Sequence, residues 1–182
     1  MVTTDQRTDQ QLIAAANLGD ARAFETLYYR YRDWVTALAY RLTGNREDAL
    51  DVLQETFAYF FGKFPGFSLT ARLKTFLYPV VKHGSLARLR RRGRVAQLGD
   101  ADEALAAAPP AEARPAASGL SALLASLSEA EREIILLRFV DDLPLKEIAH
   151  LLEIPLGTVK SRLHNTLKRL RRDPRTKKHF EP

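Results

Sequence analysis

The segment LPLKEIAHLLEIPLGTVKSRLHNTLKRL, residues 143–170, constrains the fold more than any other part of the chain. Two short runs with helical apolar spacing meet across a turn at 153–156. In the first run Ile148, Ala149 and Leu152 point inward, with Ala149 small where the second helix must cross closely, and Ile154 plugs the turn. In the second, Val159, Leu163, Leu167 and Leu170 form an inward stripe, while Thr158, Lys160, Ser161, Arg162, His164, Asn165 and Lys168 occupy the other face. This is the grammar of a helix-turn-helix, whose second helix places polar side chains against base edges and cations against phosphates. Charge agrees with that direction: residues 156–178 hold nine basic side chains against one acid, whereas 120–155 hold three against seven. An ordinary helical hairpin with a solvated basic face would have the same spacing.

The rest of the chain is helical in pattern. Leu12, Ala15 and Ala16, then Phe24, Leu27, Tyr28, Tyr31, Val35, Leu38 and Leu42, then Leu50, Leu53, Phe57 and Phe60 recur at three- and four-residue steps. Breaks fall at 17–20, 43–46 and 64–66, and Ser128 with Glu131 forms a capping box that opens a helix from 129 to about 140. No useful stretch alternates with period two, so the expected fold is all-α: two small helical domains joined by a flexible linker, the second a helix-turn-helix. The domains span 9–95, with about four helices, and 120–174. The linker, 96–119, holds four acids and one arginine; its stretch 97–119 carries nine alanines, three prolines and no aromatic residue, too little apolar area to offset ordering the backbone. Propensity alone would also permit an Ala-rich helix at 102–108.

With 28 basic and 22 acidic side chains, net charge +6, the chain favours polyanionic partners. It has no cysteine, so disulfides, thiolate metal sites and cysteine nucleophiles are excluded together. No apolar run approaches the roughly 20 residues of a membrane span, and the polar N-terminus is not a secretory signal, so a cytoplasmic protein without membrane insertion is expected. The four histidines form no ligand cluster, and there is neither a Gly-rich phosphate loop nor a nucleophile beside a base. The expectation is a non-enzyme without cofactor or metal.

Residues 127–171, LSEAEREIILLRFVDDLPLKEIAHLLEIPLGTVKSRLHNTLKRLR, resemble the C-terminal domain of the extracytoplasmic-function group of bacterial RNA polymerase sigma factors. DALDVLQETFAYFF, 48–61, is similar to the family's polymerase-binding helix. FSLTARLKTFLYPVVKHGSLARLRRRGR, 67–94, is similar to its promoter-melting region. The resemblance covers roughly 9–95 and 120–172. It implies an alternative sigma factor, monomeric when free, that binds bacterial core RNA polymerase, recognises promoter DNA as duplex and as single strand, and melts it; an anti-sigma factor is a family-level partner.

The resemblance also implies roles for residues. Asp48, Asp51, Gln54 and Glu55 would contact the polymerase clamp from the face opposite Leu50, Leu53, Phe57 and Phe60. Phe67, Lys74, Lys82, His83, Arg88, Arg90, Arg91 and Arg92 would bind the downstream promoter element, where interleaved cations and rings suit phosphates and unstacked bases, and the loop 64–71 would hold a flipped base. Phe57, Phe60, Phe61 and Phe76 are expected mainly in the core. Thr158, Lys160, Ser161, Arg162, His164, Asn165 and Lys168 would read the upstream element. The acidic linker would thread the polymerase channel. Departures from the family pattern are Phe76 in place of a tryptophan, His83 in place of an asparagine, Ala87 in place of an aspartate, and Pro79 and Gly84, which interrupt the helix pattern, so that a kink near Tyr78 or a helix restarting at Pro79 is expected. Two other classes stay open: a dimeric helix-turn-helix regulator that never joins polymerase, and a protein that sequesters an acidic partner.

Overall fold

The computed structural model describes residues 5–98, 123–124 and 126–173, with side chains of 94–98 left aside. The described residues are helical and form two units, one on each side of the 96–119 segment. Residues 96–98 of that segment belong to the last helix of the first unit; 99–119, with the alternative helix at 102–108, lie outside the described residues, as does the tail beyond 173.

In the first unit, α1 (Asp9–Asn17) opens with a capping box in which Thr8 accepts from the Gln11 amide and Gln11 accepts from that of Thr8. Asp20 caps α2 (Ala21–Thr43), and Gly44 closes it in the left-handed conformation at φ 67°, its N–H donating to the Tyr40 carbonyl. Asn45 then caps α3 (Arg46–Phe61) by accepting from the Asp48 amide. The loop 62–72, which includes a cis Phe64–Pro65 bond, leads into α4 (Leu73–Leu98).

The core of this unit is built from Leu12, Leu27, Val35, Leu38, Val52, Phe60, Leu73, Leu77 and Val81, all essentially without solvent exposure. On α3 the buried face is Ala49, Val52, Leu53, Thr56, Phe57 and Phe60. Leu50, expected inward, is 42% exposed. A three-residue step from Leu50 to Leu53 satisfies helical periodicity, but α2 and α4 flank α3 so that the inward stripe is centred on Val52 and Thr56. α4 runs on through exposed Pro79, with no restart there. Gly84 lies inside it against α3, where an added Cβ would sit 3.5 Å from a Val52 methyl, an ordinary van der Waals contact, so the crossing has room for an alanine there.

In the second unit, the Ser128–Glu131 capping box opens α5 (Glu129–Phe139). Buried Leu143 follows, then α6 (Leu145–Leu151) and α7 (Leu156–Arg172). Ile148 and Ala149 are buried at the crossing, Ile154 is half-buried, and Glu153 takes a positive φ of 53° in the turn between the two helices. The inward stripe of α7 differs from expectation: Val159 and Thr166 are buried, whereas Leu163, Leu167 and Leu170 are half-buried.

Candidate functional site

The first surface lies where α3 packs on α4. Asp51, Gln54 and Glu55 are exposed and Asp48 is half-buried. Three of these four are not bare anions. Arg88 from α4 donates one guanidinium nitrogen to Asp51 and the other to Glu55, and Arg92, one turn further on, reaches Asp48 at 3.2 Å. The Arg88 side chain is only 17% exposed, while Asp51 and Glu55 remain about half exposed at 51% and 56%. The carboxylates of Glu55 and Asp51 reinforce the protonated state of Arg88 against its partial burial.

Arg88 and Arg92 therefore point at α3. For Arg88 this bears on its expected place among the promoter contacts, since a guanidinium held by two carboxylates offers less to a phosphate; Arg92, with one carboxylate and a side chain 53% exposed, keeps donors free for one. His83, Arg90 and Arg91 are exposed; His83 and Arg90, seven residues apart, share the side of α4 away from α3. Lys82 is half-buried, its ammonium 6.0 Å from the Tyr78 ring centre, and Lys74 lies 5.5 Å from that of Trp34.

The loop 62–72 forms the second surface. Phe67 is half-buried, its ring centre 5.4 Å from those of Phe60 and Phe64 and 4.8 Å from that of Phe76. Phe57 and Phe60 are buried, and Phe61 and Phe76 are half-buried partners in the same cluster. Phe67 thus anchors the loop through its edge-to-face pairs with Phe60 and Phe76; pairs of this kind add roughly 0.5–1.5 kcal/mol each beyond area burial.

Sequence reasoning missed two neighbours of this cluster. Tyr59 is 47% exposed and stacked on Phe76 at 6.3 Å, with the Lys63 ammonium 4.3 Å from its ring centre. Asn17, the last residue of α1, bonds the loop backbone at Gly66 and Phe67. Tyr59 lies one step off the inward stripe, a signal that could have been read; Asn17 lies 50 positions from its partner and left none.

The third surface is α7. Lys160, Ser161, Arg162, His164, Asn165 and Lys168 are exposed together, and Thr158 is half-buried at the helix start. The helix is held from behind by Glu131, which caps α5 while accepting from Arg169 at 2.8 Å and from the Thr166 hydroxyl at 3.4 Å. Arg169 first, then Ser128, pull the Glu131 carboxyl down to about 2. Thr166 is buried because its hydroxyl meets this carboxylate, which hydropathy could not disclose.

Two helical units, one with a paired acidic and basic helix face and the other a helix-turn-helix with its polar face outward, define a modular helix-turn-helix protein. The Sigma-70 region 2 family model matches residues 27–95, and the Sigma-70, region 4 model matches 123–172. The ECF RNA polymerase sigma-E factor of Escherichia coli (strain K12) is 31% identical over 179 residues, spanning 88% of this chain and 91% of that protein. The ECF RNA polymerase sigma factor SigW of Bacillus subtilis (strain 168) is 28% identical over 172 residues, 86% of this chain and 91% of the relative. Among solved structures, CnrH in complex with the cytosolic domain of CnrY aligns with a TM-score of 0.61 at 21% identity, covering 88% of this chain and 92% of that one. The sigma factor RpoE in complex with the anti-sigma factor NepR from Bartonella quintana aligns at 0.58 and 24%, covering 82% and 94%. These two show likeness of fold. The chain belongs to the sigma-70 family, in its extracytoplasmic-function (ECF) group.

Proposed function

We propose that this alternative sigma factor docks on bacterial core RNA polymerase through the exposed edge of α3, reads the upstream promoter element with α7, and meets the opened strand with the 62–72 loop and the outward side of α4. One observation carries the reading: α7 turns six polar or basic side chains outward together, from Lys160 to Lys168, while Val159 and Thr166 anchor its other side. Duplex recognition needs that division of one helix into an anchored face and a polar face. The half-exposed carboxylates of Asp51 and Glu55, with Gln54 between them, provide orientation and encounter for a cationic partner helix.

The chain performs no catalytic step of its own; nucleotide addition belongs to the polymerase. It acts in the cytoplasm, where polymerase is, as a monomer until it joins the enzyme, and no helix among the described residues is long and apolar enough to cross a membrane. RpoE of Bartonella quintana was solved with an anti-sigma factor, and a regulator of that class is proposed here too. The acidic segment 96–119 is proposed to enter the polymerase channel.

The test is co-elution with core polymerase in size-exclusion chromatography at moderate salt. The parental chain should co-elute, and Asp51→Ala with Glu55→Ala should not. Because that pair also strips Arg88 of its partners, Arg88→Gln is the control and should still co-elute. Lys160→Ala with Arg162→Ala should retain polymerase and lose promoter choice. Failure of the parental chain to join polymerase, with specific duplex binding by a dimer of the free protein, would replace this reading with a free-standing regulator.

A further inference from the structure

We propose that Asn17 is a positioning residue for recognition of the opened promoter strand; this rests on the reading of the 62–72 loop just given. Its carboxamide makes three bonds, all to backbone groups of that loop. The oxygen accepts from the Gly66 amide at 2.7 Å and the Phe67 amide at 3.0 Å, and the nitrogen donates to the Phe67 carbonyl at 2.8 Å. An irregular loop has no ladder to satisfy such groups, so one side chain supplies what a neighbouring strand would.

A short planar amide offers an acceptor with two lone pairs on one atom and a donor on another, so both loop amides and the Phe67 carbonyl are met from one position. Gly66 is the loop's left-handed residue, at φ +97°, so the bonds hold the peptide where the chain reverses. The Phe67 ring is itself held by Phe60, Phe64 and Phe76. Ser68, Thr70 and Ala71 follow at once and are exposed. Backbone and ring are thus pinned at Phe67, and the exposed residues that would border an unpaired base leave from a fixed point. None of the acids proposed to meet polymerase takes part, so the clamp should act on strand recognition and not on docking.

Amide exchange of the full-length chain reads the clamp directly. Asn17→Ala removes three bonds and should raise exchange at Gly66 and Phe67 about a hundredfold, whereas Asn17→Asp keeps both acceptor bonds, loses the donor, and should raise it about fivefold. The consequence is read with core polymerase on a promoter selected by the parental complex from a random pool, with 2-aminopurine reporting opening. Discrimination among bases in the melted element should fall in the same order, Asn, Asp, Ala, with co-elution on polymerase unchanged in all three.

Unchanged exchange in Asn17→Ala would overturn the proposal. So would released loop amides with base discrimination kept at the parental value, because the clamp would then be merely structural. If Asn17→Ala does not fold, Asn17→Asp carries both measurements. A parental chain that never joins polymerase would refute the underlying reading and this proposal with it, and the parental control separates that failure from the others.

Discussion

Replacing Arg88 with glutamine separates two roles that its position in a run of arginines leaves indistinguishable. The Arg88 side chain is 17% exposed, and its guanidinium is shared between Asp51 and Glu55, each about half exposed. Pairs this open are worth a few tenths to about 1 kcal/mol each, so the two together contribute about 1 kcal/mol after screening. Asp51 and Glu55 are also like charges one helical turn apart, and leaving them unneutralised adds a few tenths of a kcal/mol. The first unit should therefore lose about 1–1.5 kcal/mol, a fall of roughly 5–10 °C in its midpoint at the usual conversion for a domain of this size. As a strut, Arg88 should leave the salt dependence of DNA binding untouched; as a phosphate contact it would take with it a slope of about 0.7–0.9 in log K against log salt. The assay pairs thermal melting of the full chain with anisotropy of the polymerase complex on promoter DNA at several salt concentrations, with exposed Arg90→Gln as the comparator that should lose slope and keep stability. Arg88→Gln with a reduced slope and an unchanged midpoint would refute the argument.

Three further outcomes are expected. Glu131→Gln weakens a helix cap and removes an ion pair at once, about 1–2 kcal/mol together, and should appear as faster amide exchange across α5 and α7. Since the folded Glu131 carboxyl sits at about 2 against 4.5 unfolded, its stabilisation is complete above about pH 4.5 and drains away as pH falls toward 2; urea midpoints of parent and variant should converge over that interval, and a constant gap would sink the assignment. Thr56 is buried with a hydroxyl that has no partner, so Thr56→Val should raise stability by about 1 kcal/mol in chemical denaturation, and a loss would mean that the hydroxyl is satisfied in solution. Lys160→Ala should lower promoter affinity and reduce the salt slope by about one charge with no change in melting, because its side chain is exposed on α7; an unaltered slope would remove it from the interface.

The Ser128 cap and the breaks between helices were legible because they act within one turn of the chain; that Asp20 and Asn45, inside two of those breaks, are themselves caps came only with the structure. The division of α7 into an anchored and a polar side was legible in outline for the same reason, since a 3.6-residue period places a face without reference to anything distant. The same rule erred where the partner mattered: it placed Leu50 inward and Thr166 nowhere in particular, although α3 turns Val52 and Thr56 to its neighbours and Thr166 finds the Glu131 carboxylate 35 positions away.

What the sequence by itself determined is the all-helical class, the order of its elements and the family, because local periodicity, capping chemistry and motif spacing are properties of contiguous residues. What only the tertiary structure decided is how distant charges and amides are spent: Arg88 on Asp51 and Glu55, 37 and 33 positions away, and Asn17 on the loop at Gly66 and Phe67. A run of arginines reads as free cations until the helix opposite is known, and a lone asparagine reads as a helix end. The physical reason is that ion pairs and hydrogen bonds depend on distances of about 3 Å, and those are set by how helices pack rather than by where residues stand in the chain.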